Sequence, residues 1–243
     1  MFLLFDVDNT LTIARGKITP LMKEMLRDVK NSGYTLGVVS GSDLVKLKEQ
    51  LEDSISHFDW LFTENGLVTY SKVDGKHEIY SSTNLIQHLG ECYYQDIVNE
   101  CLSLLSEIRL PLKRGVFLEL RTGLLNVCPV GRSCTQEERC AFEEYDNEFK
   151  VREHIRDKLL SKFGNEIECS IGGQISLDLF PKGWNKTYCL QFIEDKEILF
   201  FGDRIFPGGN DYEIGTSDRV KPYKVKNWKD TYDLLKMIML FKY

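Results

Sequence analysis

The 243-residue sequence has no apolar run that approaches the length of a membrane span, and its first apolar stretch, 1–5, is stopped by Asp6 and Asp8. That stretch is too short for the hydrophobic region of a signal peptide. The sequence also has no internal repeat, no low-complexity tract and no Pro/Ser-rich linker. We therefore expect an ordered globular protein without membrane partners, located in the cytoplasm.

Basic residues are in the minority, with 31 Lys and Arg against 37 Asp and Glu, for a formal net charge of -6. Nucleic-acid binding needs a basic face, so we expect no nucleic-acid partner, and an anionic ligand must meet a local basic cluster. The seven cysteines are odd in number, scattered and without a C-x-x-C pair. This pattern favours reduced thiols over disulfides or a zinc site.

The two ends of the chain alternate between strand and helix patterns. Apolar stretches at 1–7, 34–39 and 198–201 predict buried strands, and each runs into polar residues. Between the first two, Thr19-Pro20 predicts a helix start, with a cap followed by a first-turn proline. Repeated alternation of this kind predicts an α/β fold with a doubly wound, Rossmann-like parallel sheet.

The middle of the chain has longer helical periodicity and alternating strand patterns, for example at 116–121 and 176–180. We interpret it as an inserted α+β cap domain that acts as a lid. The predicted discontinuous core comprises residues 1–81 and 185–243, and the predicted substrate-binding cap comprises residues 82–184.

Three carboxylates follow predicted strands. Asp6 and Asp8 follow the first strand, and Asp203 follows the strand at 198–201. In such sheets ligands bind beyond the carboxyl ends of the strands, so these acids are expected to lie together. Phosphoryl transfer needs a nucleophile, a cation and a proton donor, and three such acids can also bind Mg²⁺ through hard oxygen ligands. On position alone, Asp8 and Asn9 serve equally well as a turn cap.

Two further residues belong to this hypothesis. Lys186 can hold a transferring phosphate and offset the clustered carboxylates, but taken alone it is more typical of a solvated helix residue. Asp211 ends the tight turn at 207–211 and can order metal-bound water, or belong to an ordinary Asx-type loop.

In combination, these features resemble the haloacid dehalogenase superfamily: D-x-D-x-T at 6–10, a strand-end serine, a lysine, and Gly-Asp followed by Asn-Asp. The resemblance implies that Asp6 becomes a phosphoaspartate and that Asp8 acts as general acid and base. It also implies that Mg²⁺ is bound by Asp6, the main-chain carbonyl of Asp8, and Asp203.

A second constellation lies in the predicted cap, where four arginines occur with no lysine among them. Guanidinium groups favour planar, bidentate phosphate binding. The alternative is ion pairing with nearby glutamates. The arginines are Arg114, Arg121, Arg132 and Arg139, and the glutamates are Glu119, Glu137 and Glu138.

The runs at 114–121, 125–134, 170–178 and 180–184 resemble the cap domain of eukaryotic phosphomannomutases, and the similarity extends over essentially the whole chain. It implies a magnesium-dependent isomerase that interconverts mannose 6-phosphate and mannose 1-phosphate. It also implies an aspartyl-phosphate, a hexose 1,6-bisphosphate that is both intermediate and activator, a role in GDP-mannose synthesis, and a homodimer formed through the cap.

The same resemblance assigns the substrate contacts. Phosphate is held in the cap by Arg121, Arg132 and Arg139, in addition to the phosphate contact already inferred for Lys186 from its position. Arg15 is a further substrate contact. Ser176 and Asp178 bind sugar hydroxyls, although without the motif they fit a strand with alternating polar residues.

The sequence departs from the family pattern at three places. Asn9 replaces the usual Gly, Ser40 opens a Ser-Gly-Ser loop in place of Gly-Gly-Ser, and 215–219 lacks the order typical of a second cation site, which we do not predict. Two other functions stay open: a sugar-phosphate phosphatase of the same fold, which admits water to the intermediate, and a non-catalytic phosphosugar-binding protein. The presence of all three acids argues against the latter.

Overall fold

The structure, a computed structural model, describes residues 1–240, which divide into two compact units. The core unit comprises Met1–Ser82 and the chain from Gly183 onward, and the inserted unit comprises Thr83–Lys182. The second junction lies two residues before the expected one. The Trp184 ring packs edge-on to Tyr188 at 5.9 Å, which ties it to the core unit.

Residues 1–240 form eleven strands, eight α-helices and three short 3₁₀ helices. The strands are β1 (Phe2–Phe5), β2 (Thr35–Val39), β3 (Trp60–Thr63), β4 (Val68–Val73), β5 (Lys76–Ser82), β6 (Leu118–Leu120), β7 (Leu125–Val127), β8 (Ile167–Gly172), β9 (Ser176–Pro181), β10 (Ile198–Gly202) and β11 (Lys221–Lys224). The α-helices are α1 (Pro20–Asn31), α2 (Leu44–Leu51), α3 (Leu85–Leu89), α4 (Glu91–Glu107), α5 (Gln136–Phe149), α6 (Val151–Phe163), α7 (Tyr212–Gly215) and α8 (Trp228–Leu240). The 3₁₀ helices are Glu52–His57, Glu64–Gly66 and Lys186–Phe192.

The core unit contains a seven-stranded sheet in the order β11-β10-β1-β2-β3-β4-β5. The strands from β11 to β3 are parallel, and Phe5 at the end of β1 pairs with Val38 on one side and Phe201 on the other. Side chains of β1 alternate between two apolar clusters, so the sheet is covered on both faces. The predicted α/β fold with a parallel sheet is confirmed.

The antiparallel hairpin of β4 and β5 was not predicted. Its two-residue connection is Asp74-Gly75, and both residues have positive φ angles of 48° and 81°. Asp-Gly is a favoured pair for such a turn because it tolerates this left-handed backbone. The signal was therefore present in the sequence.

Helix α1 begins at the predicted cap. The Thr19 side chain accepts a hydrogen bond from the Met22 N–H at 3.3 Å, and Pro20 is the first helical residue. Met22 and Leu26 are buried in the cluster that also contains Phe5. This packing anchors the segment that follows the first strand-end loop.

The chain returns to the core unit through a 3₁₀ helix that begins at Lys186 and ends at Phe192. Its start is set by the Asn185 side chain, which accepts a hydrogen bond from the Thr187 N–H at 2.9 Å and so caps the helix at this point. Lys186 thereby becomes the first residue of the helix.

The inserted unit has a four-stranded antiparallel sheet in the order β6-β7-β9-β8, with helices α3 to α6. Alternate residues of the sheet, such as Val127 and Leu177, pack against apolar residues of α6 such as Ile155 and Leu159. The class is therefore α+β, as predicted. None of the helices in the described part of the chain is both long enough and apolar enough to cross a membrane.

Candidate active site

Three carboxylates meet at the carboxyl edge of the core sheet. Asp6 follows β1, Asp203 follows β10, and Asp211 comes from the loop beyond it. Their side-chain oxygens lie within 4.8 Å of one another. Gly202 permits the approach, because any Cβ there would lie 2.7 Å from Asp211 Oδ2. The neighbouring ends of β1 and β10 thus deliver Asp6 and Asp203 to one place.

Lys186 lies inside this carboxylate cluster. Its side chain is 2% exposed, and its Nζ donates to Asp6 Oδ1 and, at 2.6 Å, to Asp211 Oδ1. The alternative of a solvated helix residue is therefore wrong. A buried ammonium between two buried carboxylates offsets part of their negative charge.

The charges in the cluster shift one another's protonation. Burial raises the pKa of Asp6 to about 7, while the Lys186 cation opposes that rise. Burial by itself would lower the pKa of Lys186, but the carboxylates of Asp6 and Asp211 raise it above its usual range. Burial also raises the pKa of Asp203, against a hydrogen bond from Asn9. The cluster therefore favours additional positive charge.

The donor set fits a hard divalent cation. It consists of carboxylate oxygens, and they are close enough to share one ion. The side chain of Asp211, expected only to order metal-bound water, belongs to the cluster itself. The side chain of Asp8 lies outside it, and the role expected for the Asp8 main-chain carbonyl stays a prediction.

Asp8 is held by two N–H donors. Its Oδ1 accepts hydrogen bonds from the Arg15 backbone N–H at 2.6 Å and from Gln50 Nε2 at 2.9 Å. Gln50 lies on α2 and is 2% exposed. Sequence reasoning missed it, because a single glutamine on a helix gives no sign of a partner 42 residues away. Arg15 is placed beside Asp8 through its backbone, and its side chain is exposed.

Asn9 and Thr10 complete the loop after β1. Asn9 has a φ of 56°, in the left-handed region where glycine is favoured and asparagine is tolerated. Its Nδ2 donates to Asp203 Oδ2 at 3.0 Å, and the Thr10 hydroxyl donates to Asp6 Oδ2 at 3.5 Å. Asn9 therefore preserves the loop conformation. Ser40 is buried at the end of β2, and its Oγ accepts from the N–H of Ser42 at 3.1 Å.

The inserted unit brings guanidinium groups together around Glu119. Arg121 donates to Glu119 Oε2 from Nε at 2.9 Å and from Nη2 at 2.7 Å, and Arg132 Nε lies 3.2 Å from the same oxygen. Glu138 pairs with Arg114. Arg114, Arg121 and Arg132 are therefore paired with glutamates, as the ion-pairing alternative predicts. Arg121 uses only two of its five N–H donors on Glu119, so three stay available for a phosphate.

Arg139 differs from these arginines. Its Nη2 donates to the Arg132 carbonyl at 3.3 Å, and within residues 1–240 no carboxylate forms an ion pair with it. The bond ties the guanidinium of Arg139 to the segment that carries Arg132.

Asn126 links the arginines to the predicted sugar-binding residues. Its Oδ1 accepts from Arg132 Nη1 at 2.7 Å, and its Nδ2 donates to Asp178 Oδ1 at 2.6 Å. Ser176 Oγ donates to the carbonyl of Gly172 at 3.2 Å. These two residues face each other across the β8–β9 hairpin. Asn126 was missed because it stands between two apolar residues of a strand.

A buried ion pair braces that hairpin. Arg152 Nε donates to Asp146 Oδ2 at 2.7 Å, and both side chains are less than one-tenth exposed. Arg152 Nη1 donates to the Gly173 carbonyl at 2.9 Å and to the Gly172 carbonyl at 3.5 Å. A side chain at Gly172 would lie 2.8 Å from Asp178 Oδ2, so the turn and the Asp178 carboxylate are in direct contact.

Comparison with known proteins places these features in one family. The model of the eukaryotic phosphomannomutase family matches residues 22–241. A phosphomannomutase of Drosophila melanogaster is 47% identical over 98% of this chain and 95% of its own, and one of Dendrobium officinale is 46% identical over 100% and 95%.

Solved structures show the same fold. A haloacid dehalogenase-like hydrolase from Bacteroides thetaiotaomicron has a TM-score of 0.60 and 13% identity, with 98% of both chains covered. An IMP-nucleotidase from Plasmodium falciparum has a TM-score of 0.63 and 16% identity, with 99% of this chain and 68% of its own covered.

Proposed function

The chain belongs to the eukaryotic phosphomannomutase family, and from this membership we infer that it is an isomerase that interconverts mannose 6-phosphate and mannose 1-phosphate. The observation that carries the proposal further is the cluster of Asp6, Lys186 and Asp203 at the carboxyl edge of the sheet. It provides a carboxylate nucleophile, a fixed cation and oxygen ligands in one place.

In the proposed reaction, Asp6 is the phosphorylated nucleophile. Phospho-Asp6 gives its phosphoryl group to the free hydroxyl of a hexose monophosphate: the bond from phosphorus to Asp6 breaks, the bond to the sugar oxygen forms, and the hydroxyl proton passes to Asp8. The hexose 1,6-bisphosphate then returns its other phosphoryl group to Asp6, and Asp8 returns the proton to the departing sugar oxygen. The two N–H donors on Asp8 Oδ1 orient it for both transfers.

Mg²⁺ completes this proposal. The carboxylates of Asp6, Asp203 and Asp211, with the main-chain carbonyl of Asp8, would hold the ion, and when bound it supplies positive charge to the phosphoryl oxygens. Lys186 contacts Asp6 and Asp211 in the same site, and its positive charge offsets part of their negative charge.

The inserted unit binds the phosphate that is not reacting. The N–H donors come from Arg121, Arg132 and Arg139. Glu119 contacts both Arg121 and Arg132 and so keeps these two side chains adjacent before a phosphate binds. Ser176 and Asp178 contact the sugar hydroxyls, and Arg15 contacts the substrate from the loop after β1.

A single assay tests the reaction. Purified protein with Mg²⁺, mannose 1-phosphate and a trace of glucose 1,6-bisphosphate should form mannose 6-phosphate with little free phosphate. Asp6→Asn should lower kcat by at least about a thousandfold, because the amide is not a nucleophile. Asp43→Asn is the matched control: Asp43 caps α2 at the same edge of the sheet, and asparagine caps equally well. Release of free phosphate alone would contradict the isomerase and support a phosphatase.

We also propose a cytoplasmic homodimer that supplies GDP-mannose synthesis. The free state of all seven cysteines, several of them buried, supports a reducing compartment. Dimerisation through the inserted unit is supported by exposed apolar side chains there, including Val116, which is 52% exposed. Sedimentation equilibrium should give twice the chain mass, and Val116→Glu should weaken the dimer while Val45→Glu in the core unit should not.

A further inference from the structure

A pair of cations flanks the acidic cluster in the core unit. Arg204 directly follows Asp203, and Lys224 at the end of β11 pairs in register with Gly202. Both residues are exposed, and both belong to the carboxyl edge of the sheet where Asp6 and Asp203 meet. We call Arg204, Lys224 and the intervening Phe206 the basic rim.

An aromatic ring organises the basic rim. The Lys224 Nζ lies 5.5 Å from the centroid of the Phe206 ring, and the Arg204 Cζ lies 5.9 Å from it. The ring itself is 42% exposed. Both cations lie within 6 Å of the centroid of one ring, so the basic rim presents positive charge from two side chains around Phe206.

The loop that carries the basic rim is braced. The Gly209 N–H donates to the Phe206 carbonyl at 2.8 Å, and the Arg204 N–H donates to Asp211 Oδ2 at 3.1 Å. A Cβ at Gly209 would lie 2.0 Å from the Arg204 carbonyl oxygen, so the turn closes tightly. The backbone thus fixes where the two side chains leave the loop.

The charge of the basic rim is only partly offset nearby, by the electrostatic interaction of Arg204 with the adjacent Asp203. Within residues 1–240, neither Arg204 nor Lys224 forms an ion pair with a carboxylate, although the chain carries a net charge of -6. Acidic side chains elsewhere at the surface pair with other cations. Unpaired cations beside an acidic site attract an anion that those carboxylates would otherwise repel.

We propose that the basic rim binds one phosphate group of the hexose bisphosphate as this ligand enters the Asp6 site. The proposal rests on the proposed function and deepens it by assigning a surface to the bisphosphate. Each phosphate monoester carries about 1.5 to 2 negative charges near pH 7, so the bisphosphate has about twice the charge of a hexose monophosphate. The basic rim therefore favours the activator over the monophosphate substrate.

The test compares three variants of equal charge change. Lys224→Gln and Arg204→Gln each remove one cation of the basic rim. Lys221→Gln is the control: Lys221 stands at the other end of β11, opposite Leu199, with its Nζ 5.7 Å from the Tyr223 ring. Three residues of strand separate it from Lys224 by roughly 10 Å, about one Debye length at 0.1 M salt.

At about 0.1 M salt, each rim variant should raise the KM for glucose 1,6-bisphosphate about five- to tenfold, and raise the KM for mannose 1-phosphate less. The kcat at saturating ligand should stay within about twofold, and the dependence of the bisphosphate KM on salt should weaken. Lys221→Gln should change each value less than about twofold. Equal effects of Lys224→Gln and Lys221→Gln would overturn the proposal while leaving the proposed function intact.

A direct binding measurement tests the basic rim even if the proposed function fails. If the wild-type protein does not isomerise mannose phosphates, the proposed function fails, and calorimetric titration of wild type and Lys224→Gln with glucose 1,6-bisphosphate then tests the basic rim. Weaker binding by the variant supports the rim as a phosphate-binding surface. Equal affinity refutes it.

Discussion

The buried pair of Arg152 and Asp146 in the inserted unit gives the sharpest test of the packing argument. Arg152→Met keeps much of the side-chain volume but removes the guanidinium, and so leaves the Asp146 carboxylate buried without its cation. Breaking a buried ion pair in this way costs about 3–5 kcal/mol. The Gly173 carbonyl also loses its donor, at about 1 kcal/mol.

This loss is a large part of the stability of an ordinary domain, which is about 5–15 kcal/mol. In the double variant Asp146→Leu/Arg152→Met both charges are absent, so no charge is left buried alone. We expect it to recover most of the loss and to lie within about 2 kcal/mol of wild type. The exposed pair of Arg156 and Asp157 on the same helix provides the control, since Arg156→Met should cost at most about 1 kcal/mol.

The assay is urea unfolding followed by two probes. Far-UV circular dichroism reports both units, whereas tryptophan fluorescence reports the core unit, because Trp60, Trp184 and Trp228 all belong to it. Arg152→Met should therefore move the circular-dichroism transition to lower urea more than the fluorescence transition. Equal losses of unfolding free energy for Arg152→Met and Arg156→Met would refute the reasoning.

Three further predictions concern the core unit and the thiols. Gln50→Leu should lower kcat roughly tenfold or more with little change in KM, because Asp8 loses one of the donors that orient it; a pure loss of stability would leave kcat per folded molecule unchanged. Removal of divalent ions with EDTA should abolish isomerisation, and added Mg²⁺ should restore it; activity that persists would contradict the metal assignment. Burial raises the pKa of Cys101 to about 12, so at pH 8 its thiolate is about a thousandfold scarcer than that of an ordinary thiol; mass spectrometry after brief iodoacetamide treatment should find label on the exposed Cys92 and not on Cys101.

The sequence predicts those parts of the molecule that depend on local patterns. The apolar run before Asp6 and the run before Asp203 identify strands, and parallel strands bring their carboxyl ends to one edge. The cap at Thr19 is equally local. The bringing together of Asp6 and Asp203 could therefore be expected without coordinates.

Residues that act through distant partners could not be found in this way. Asn126 interrupts an apolar strand, and only the pairing with β9 reveals that its amide contacts Asp178. Gln50 and Arg152 are polar residues on helices, and their burial depends on elements far along the chain. For Lys186, local composition favours an exposed residue, and burial between carboxylates follows from the tertiary fold.

The position of β1 in the middle of the core sheet also has a consequence for synthesis of the protein on the ribosome. Its neighbour β2 emerges soon after it, but its other neighbour β10 lies roughly 200 residues later, which is on the order of 10–40 s of translation at 5–20 residues per second. Until then the four-residue apolar edge formed by β1 has no partner strand. The complete sequence of the inserted unit leaves the ribosome within that interval, so this stretch is free to fold before the catalytic strands can pair.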